Sequence, residues 1–145
     1  MTNLDDYLRT DDVRVRFAET DAQGVVFFGS FLTYMDEAVL AYLRRAGYRY
    51  EDFLGGAFQL VVAHVDVDYH ASARFGDRLA NYVRVDDIGE RSVTFAYRCR
   101  DDETSTTIAS GSMVMVGVDP AGDSRPLPAE FRRSLRGVDT EDPDA

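Results

Sequence analysis

The chain has 145 residues, of which 45% are hydrophobic, 12% aromatic and 29% charged, proportions that fit one folded domain and exclude a disordered or fibrous chain. No apolar run approaches the ~20 residues that a membrane-spanning helix needs. The first ten residues carry Asp5 and Asp6 and no basic segment ahead of an apolar stretch, so they do not read as a secretory signal.

The expected location is therefore the cytosol. The lone cysteine, Cys99, offers neither an internal disulfide nor a metal framework and fits a reducing compartment. A net charge of -10 works against nucleic acid and anionic membrane surfaces as partners. All 16 basic residues are Arg, and 19 of the 26 acids are Asp. Carboxylate excess without ammonium groups is expected of a halophilic protein, kept soluble in concentrated salt where screening shortens to ~3 Å at 1 M. An Arg-biased genome is the alternative source of the same bias.

Residues 12–18 alternate Val13, Val15 and Phe17 with Arg14 and Arg16, the two-residue period of a half-buried strand. A polar stretch from Glu19 to Gly24 reads as a turn, and a short apolar run follows at 25–28. Ser30 stands as an N-cap. Beyond it Phe31, Met35, Ala38, Val39, Tyr42, Leu43 and Ala46 recur at helical steps, predicting one long amphipathic helix that ends with Arg44 and Arg45 in its last turn and a left-handed cap at Gly47.

After a loop at 48–57, the segments 58–69, 78–87, 92–100 and 107–118 are rich in Val, Tyr, Phe and Thr, and short polar links at Gly76 and Asp77, at 87–90 and at 101–103 are read as joining each segment to the next. Neighbouring strands are expected to pair antiparallel, with 107–118 inside the sheet because it is small or apolar on both faces, and with bends at Gly111 and Gly117. A short amphipathic stretch follows at 129–135. Residues 1–10 and 137–145 read as frayed termini. The whole of 1–145 is thus expected to form a single α+β domain, about five antiparallel strands curved around one long helix.

The turn between the first strand and the helix is the most informative site. Asp21 lies just ahead of a helix whose first N–H groups lack intrahelical partners and carry partial positive charge. A carboxylate beside preorganised donors has the parts for acyl transfer: one group to attack or to activate water, another to stabilise the oxyanion. An Asx-turn closed on its own backbone is the plain alternative for Asp21.

The segment FAETDAQGVVFFGSFLTYMD at 17–36 resembles the signature of hotdog-fold acyl-CoA thioesterases of the 4-hydroxybenzoyl-CoA thioesterase type, including those associated with the Tol-Pal system, and the likeness extends through DVDYHASARFGD at 66–77 and VGVDP at 116–120. The resemblance implies hydrolysis of an acyl-CoA to a carboxylic acid and free CoA without metal or redox cofactor, in a homodimer or a tetramer of two dimers. It makes Asp21 the catalytic carboxylate, as nucleophile or as general base. It places the backbone N–H of Phe28 on the thioester oxygen, with Gly24 allowing close approach. Phe28 stands where relatives often carry His or Tyr, so Phe27, Phe28 and Phe31 are expected to make that end of the pocket apolar. Asp36 matches an acidic position that can face the acyl group and reads equally as a solvated helix residue; Glu37 is the runner-up carboxylate. Arg91 is the expected contact for the nucleotide portion, with Arg74, Arg98 and Arg100 as helpers.

A non-catalytic acyl-CoA binding or sensing module is the alternative function. A dehydratase is disfavoured because neither His lies near the helix entrance. His64, Asp66, Asp68 and His70 share a strand face, but six residues of strand separate the two histidines by ~20 Å, too far for one ion. Cys99, alternating with Phe95 and Tyr97, reads as buried packing.

Overall fold

In the computed structural model, which describes residue 4 and residues 6–138, five strands form one antiparallel sheet: β1 (Leu8–Arg14), β2 (Gln59–Tyr69), β3 (Arg78–Ile88), β4 (Ser92–Asp101) and β5 (Thr107–Val118). Three helices accompany them, α1 (Ser30–Arg45), α2 (Tyr50–Phe53) and α3 (Ala129–Arg136). The strand order is β1-β3-β4-β5-β2.

Helix α1 spans 16 residues and buries Phe31, Tyr34, Met35, Ala38, Val39, Ala41, Tyr42 and Leu43. That stripe meets the inward alternation of β4 (Val93, Phe95, Tyr97, Cys99) and of β5 (Ala109, Met113, Met115) in one continuous core. Gly47 has φ +96°, the left-handed value expected at the helix end, and its N–H donates to the Arg44 carbonyl at 3.0 Å. Helix α3 buries Phe131 and Leu135. Phe131 packs edge-on against Tyr48 and Phe58 at centroid distances of 4.9 and 5.2 Å, closing the far end of the core.

Several expectations need correction. The first strand starts at Leu8, not Asp12, so part of the expected frayed terminus is sheet: Leu8 pairs with Val83, and a bulge between Arg9 and Asp11 resets the alternation so that Val13 faces inward. The upstream residues carry no apolar period of their own, which hides them from pattern reading. At its other end the strand stops at Arg14, and Phe17–Glu19 forms a single 3₁₀ turn that leaves Phe17 77% exposed.

Ser30 is the first helical residue and Gly29 the N-cap; the serine hydroxyl donates to the Glu19 carbonyl at 3.1 Å instead of capping. Strands β2 and β3, consecutive in sequence, are not neighbours. β2 pairs with β5, and β3 lies between β1 and β4. β5 is interior as expected, and Gly111 is required there because a Cβ would stand 2.0 Å from the Asp66 carbonyl oxygen. Residues 139–145, most of the acidic tail, lie outside the described residues.

Candidate active site

The polar turn folds into a tight hairpin. Thr20 bridges Val26, the Gly24 N–H donates to the Asp21 carbonyl at 3.0 Å, the Asp21 N–H donates to the Val25 carbonyl at 2.9 Å, and Gly24 takes φ +79°. Asp at the first position and a left-handed Gly at the fourth match a type I turn followed by a bulge. The hairpin is tied to the connection between β2 and β3 by Val26 N–H to the Ala73 carbonyl at 2.8 Å and a bridge from Val25 to Arg74.

Asp21 Oδ1 accepts from the backbone N–H of Gln23 at 2.8 Å and of Val25 at 3.5 Å. The Asx-turn is therefore real, and it orients the carboxylate while leaving Oδ2 without a hydrogen bond among the described residues. Asp21 is half-buried.

From the hairpin the chain enters α1 through two exposed rings, Phe27 and Phe28, whose centroids are 4.4 Å apart. Glu19 organises this entrance with both its groups. Its carbonyl accepts from the Phe27 N–H at 2.8 Å and from the Ser30 hydroxyl, while its carboxylate accepts from the Tyr34 hydroxyl at 2.8 Å and from the Arg16 guanidinium. Burial pushes the Glu19 carboxyl up, but the hydrogen bonds from Arg16 and Tyr34 and the Arg16 charge outweigh it and hold the group below the ordinary glutamate value. The same burial and the same carboxylate push the Tyr34 hydroxyl up, so it stays a donor.

Tyr69, at the end of β2, donates its hydroxyl to the Phe28 carbonyl at 2.9 Å. Gly29 lies under the Phe27 ring, whose edge would stand 2.7 Å from a Cβ there, so a larger residue would push that exposed ring aside. With these contacts made, the backbone N–H groups of Phe28 and Gly29 have no acceptor among the described residues, the condition expected at a helix start.

The expected residues separate into three places. Asp21, Gly24, Phe27 and Phe28 come together at the helix entrance. Phe31 does not line an open pocket: it is 3% exposed and packs edge-on between Tyr34 and Tyr69. Asp36 lies two helical turns on, ~12 Å along the axis from Phe28. It borders a cavity of about 280 Å³ walled by Leu40, Leu43, Phe53, Leu60 and Met115. Burial, then the Glu37 charge, raises its carboxyl above the ordinary aspartate value.

Arg91 is at the other end of the sheet. Ser92 pairs with Val116 while Tyr69 pairs with Ala109, seven residues or ~24 Å along β5. Its guanidinium donates to the Ser124 hydroxyl at 3.2 Å. Arg74 is the basic residue at the hairpin, its guanidinium 4.0 Å from where a Gly24 Cβ would stand, whereas Arg98 and Arg100 lie over the rings of Tyr7 and Tyr82. Cys99 is fully buried, and burial pushes its thiol up to about 12, so no thiolate is on hand. His64 and His70 are exposed, and His70 engages the Ser110 hydroxyl at 2.7 Å.

Residues 15–135 match the family model described as the thioesterase-like superfamily. The chain belongs to that family. The acyl-CoA thioester hydrolase YbgC of Escherichia coli O6:H1 is 29% identical over 126 residues, covering 83% of this chain and 93% of the relative. The 1,4-dihydroxy-2-naphthoyl-CoA hydrolase of Synechocystis is 26% identical over 132 residues, covering 90% and 96%. The crystal structure of a 1,4-dihydroxy-2-naphthoyl-CoA thioesterase from Synechocystis superimposes with a TM-score of 0.82 at 25% identity, covering 90% of this chain and 96% of that one. The hotdog expectation drawn from the segment at 17–36 is thus met, and the enzyme class is that of thioester hydrolases. Sequence reading had missed Glu19, Tyr34 and Tyr69 as supports of the entrance. Tyr69 lies inside the second family-like segment, but only the strand register shows where its hydroxyl ends.

Proposed function

We propose that the protein hydrolyses an acyl-CoA thioester to a carboxylic acid and free CoA at the entrance of α1. The observation that carries this reading is that the Asp21 carboxylate, with Oδ2 unbonded among the described residues, sits on the hairpin that leads into the helix start where the N–H groups of Phe28 and Gly29 are unused, a segment braced by Glu19 and Tyr69. The thioester oxygen accepts from those N–H groups as it becomes negative. Asp21 either adds through Oδ2 to the carbonyl carbon, giving a mixed anhydride that water then cleaves, or takes a proton from a water that adds instead. In both routes the C–S bond breaks and the sulfur leaves as the thiol of CoA. The Asp36 cavity is lined mostly by apolar side chains, with the Asp36 carboxyl, the Gln59 amide and Tyr50 as its polar members, which favours an aliphatic or aromatic acyl group carrying few polar substituents.

The site is open in a single protomer, and β2 is a terminal strand of 11 residues with Val61 and Val62 more than 40% exposed, so a second copy pairing along that edge is part of the reading. Two-fold edge pairing runs the strands antiparallel. It would bring the Gln59 end of one sheet beside the Tyr69 end of the other, the arrangement in which Arg91 of the partner subunit approaches the CoA. The protein is read as cytosolic, in keeping with its single reduced cysteine. Among the described residues no helix is long and apolar enough to cross a membrane.

Thiol release across a panel of acyl-CoAs tests the activity. Tight binding without thiol release would make the protein a binding module instead. The acidic, lysine-free composition is read as salt adaptation, with the melting temperature expected to rise from dilute buffer to molar KCl; equal values would remove that part of the reading.

A further inference from the structure

At one place between β1 and β3, three oxygens share a single proton. β1 is a terminal strand of the sheet, and its ladder with β3 lapses at Thr10, which falls between the pairs Arg9 to Tyr82 and Asp11 to Asn81. The Thr10 hydroxyl stands there 3.0 Å from Asp11 Oδ1 and 3.2 Å from the Asn81 carbonyl oxygen. Both oxygens are acceptors when Asp11 is ionised, and a hydroxyl has one proton to give. One of the two contacts is then left without a donor.

The surroundings disfavour that ionised form. Asp11 is half-buried, and among the described residues it enters no ion pair. Asp12 of β1 and Glu37 of α1 face it with like charge, while Tyr97 and Cys99 of β4, both buried, present neutral groups. From β3 comes Asn81, with 0% exposure. Its Oδ1 accepts from the Tyr97 hydroxyl at 2.6 Å, and its Nδ2 makes no hydrogen bond among the described residues. Burial first, then the charges of Asp12 and Glu37, outweighs the opposing pull of Thr10 and the Asn81 amide and raises the Asp11 carboxyl above the ordinary aspartate value.

We propose that Asp11 is a proton-operated latch on the edge strand β1. When Asp11 takes a proton from solvent, its carboxyl O–H donates to Thr10 Oγ1 and frees the Thr10 proton for the Asn81 carbonyl. An unbroken chain of hydrogen bonds then crosses the bulge from β1 to β3. When Asp11 is ionised the chain is one proton short, and its charge repels Glu37. A raised carboxyl contributes stability that is fully present below the unfolded value and is lost as pH rises through the folded one. The latch therefore closes as pH falls through the raised value and slackens toward neutral pH, the opposite sign to Glu19, whose folded value is depressed. β1 leads through Val15 and the single 3₁₀ turn into the Asp21 hairpin, so slack in the strand passes to the loop that carries Asp21. Neither thioester chemistry nor a second copy of the chain enters the device.

The test is hydrogen exchange of the full chain, read strand by strand and corrected for the pH dependence of chemical exchange. From neutral pH into acid, the opening of β1 amides is expected to fall about five-fold, the worth of one net hydrogen bond. Asp11→Asn carries a permanent amide donor toward Thr10, so its β1 should open about five-fold less than the wild type at neutral pH and change no further in acid. Thr10→Val keeps the shape but cannot pass the proton on. In acid its β1 should open about five-fold more than the wild type. The effect of Asp11→Asn should be absent from β2, the strand at the other edge. Wild-type β1 protection that ignores pH, an Asp11→Asn strand as loose as the neutral wild type, a Thr10→Val strand as tight as the wild type in acid, or an equal change in β2 would overturn the proposal.

Discussion

The entrance of α1 and the layer between α1 and the middle of the sheet share the same helix, yet they are held by different forces. In the core, Phe95, Tyr97, Cys99 and Met35 are essentially inaccessible and contribute through apolar area and close packing. At the entrance, Phe27 and Phe28 stay 44% and 65% exposed, and position is kept by single hydrogen bonds at Glu19, Asp21 and Tyr69. A packed layer tolerates the loss of one polar contact without moving. A hairpin held by a few directional bonds loses its aim when one goes. Substitutions at the two regions should therefore separate stability from activity.

The largest separation is expected at Asp21. Asn in its place can still accept the Gln23 N–H and keep the Asx-turn, but it is neither a base nor an anionic nucleophile. Asp21→Asn should cut thiol release by about 10³-fold or more, roughly 4 kcal/mol of barrier, while thermal unfolding stays near the wild-type temperature. Retained activity would reduce Asp21 to a turn former. The converse is expected at Phe95, which has 0% exposure and an edge contact to Tyr42 at 5.8 Å: Phe95→Ala should cost ~3–5 kcal/mol in urea unfolding, with the turnover of the fraction still folded much less affected.

Tyr69 sits on the border between the regions, its ring packed on Phe31 and its hydroxyl on the Phe28 carbonyl. Tyr69→Phe removes only the bond. A positioning role predicts a fall in kcat of about five-fold, the worth of a net hydrogen bond near 1 kcal/mol, with KM and melting temperature unchanged. A fall in melting temperature with kcat intact would assign the hydroxyl to stability alone.

The same contrast explains what could be read before the structure. Helix α1 and strands β2 to β5 were legible because their burial imposes a period: every predicted helical stripe residue from Phe31 to Leu43 is buried, and the four strand segments fall within one residue of the observed ends. β1 was half hidden, since its bulge breaks the alternation and Asp11 and Asp12 mask it. Strand order was not legible, because the pairing of β2 with β5 and of β1 with β3 depends on contacts distant in sequence. At the entrance, Asp21 and Gly24 were visible through turn chemistry and family likeness. Tyr69 and the Tyr34 bond to Glu19 were not, because side-chain polar contacts between elements leave no period. Arg91 was placed by likeness alone, and no local rule could show that it stands at the far end of its own sheet.

Glu19 offers the finest test of the comparison, because its carboxylate supports the entrance through charge as well as geometry. Its side chain is 14% exposed and its folded value is held below the ordinary 4.5. A depressed carboxyl contributes stability that is fully present above the unfolded value and is lost as pH falls through the folded one. Glu19→Gln keeps an acceptor for Tyr34 but discards the charge facing Arg16, so it should destabilise by about 1 kcal/mol at neutral pH. In acid well below the ordinary glutamate range the wild type is protonated too, and the two unfolding curves should converge. A gap that persists unchanged into acid would mean that Glu19 acts by packing, which would move the entrance to the core side of the divide.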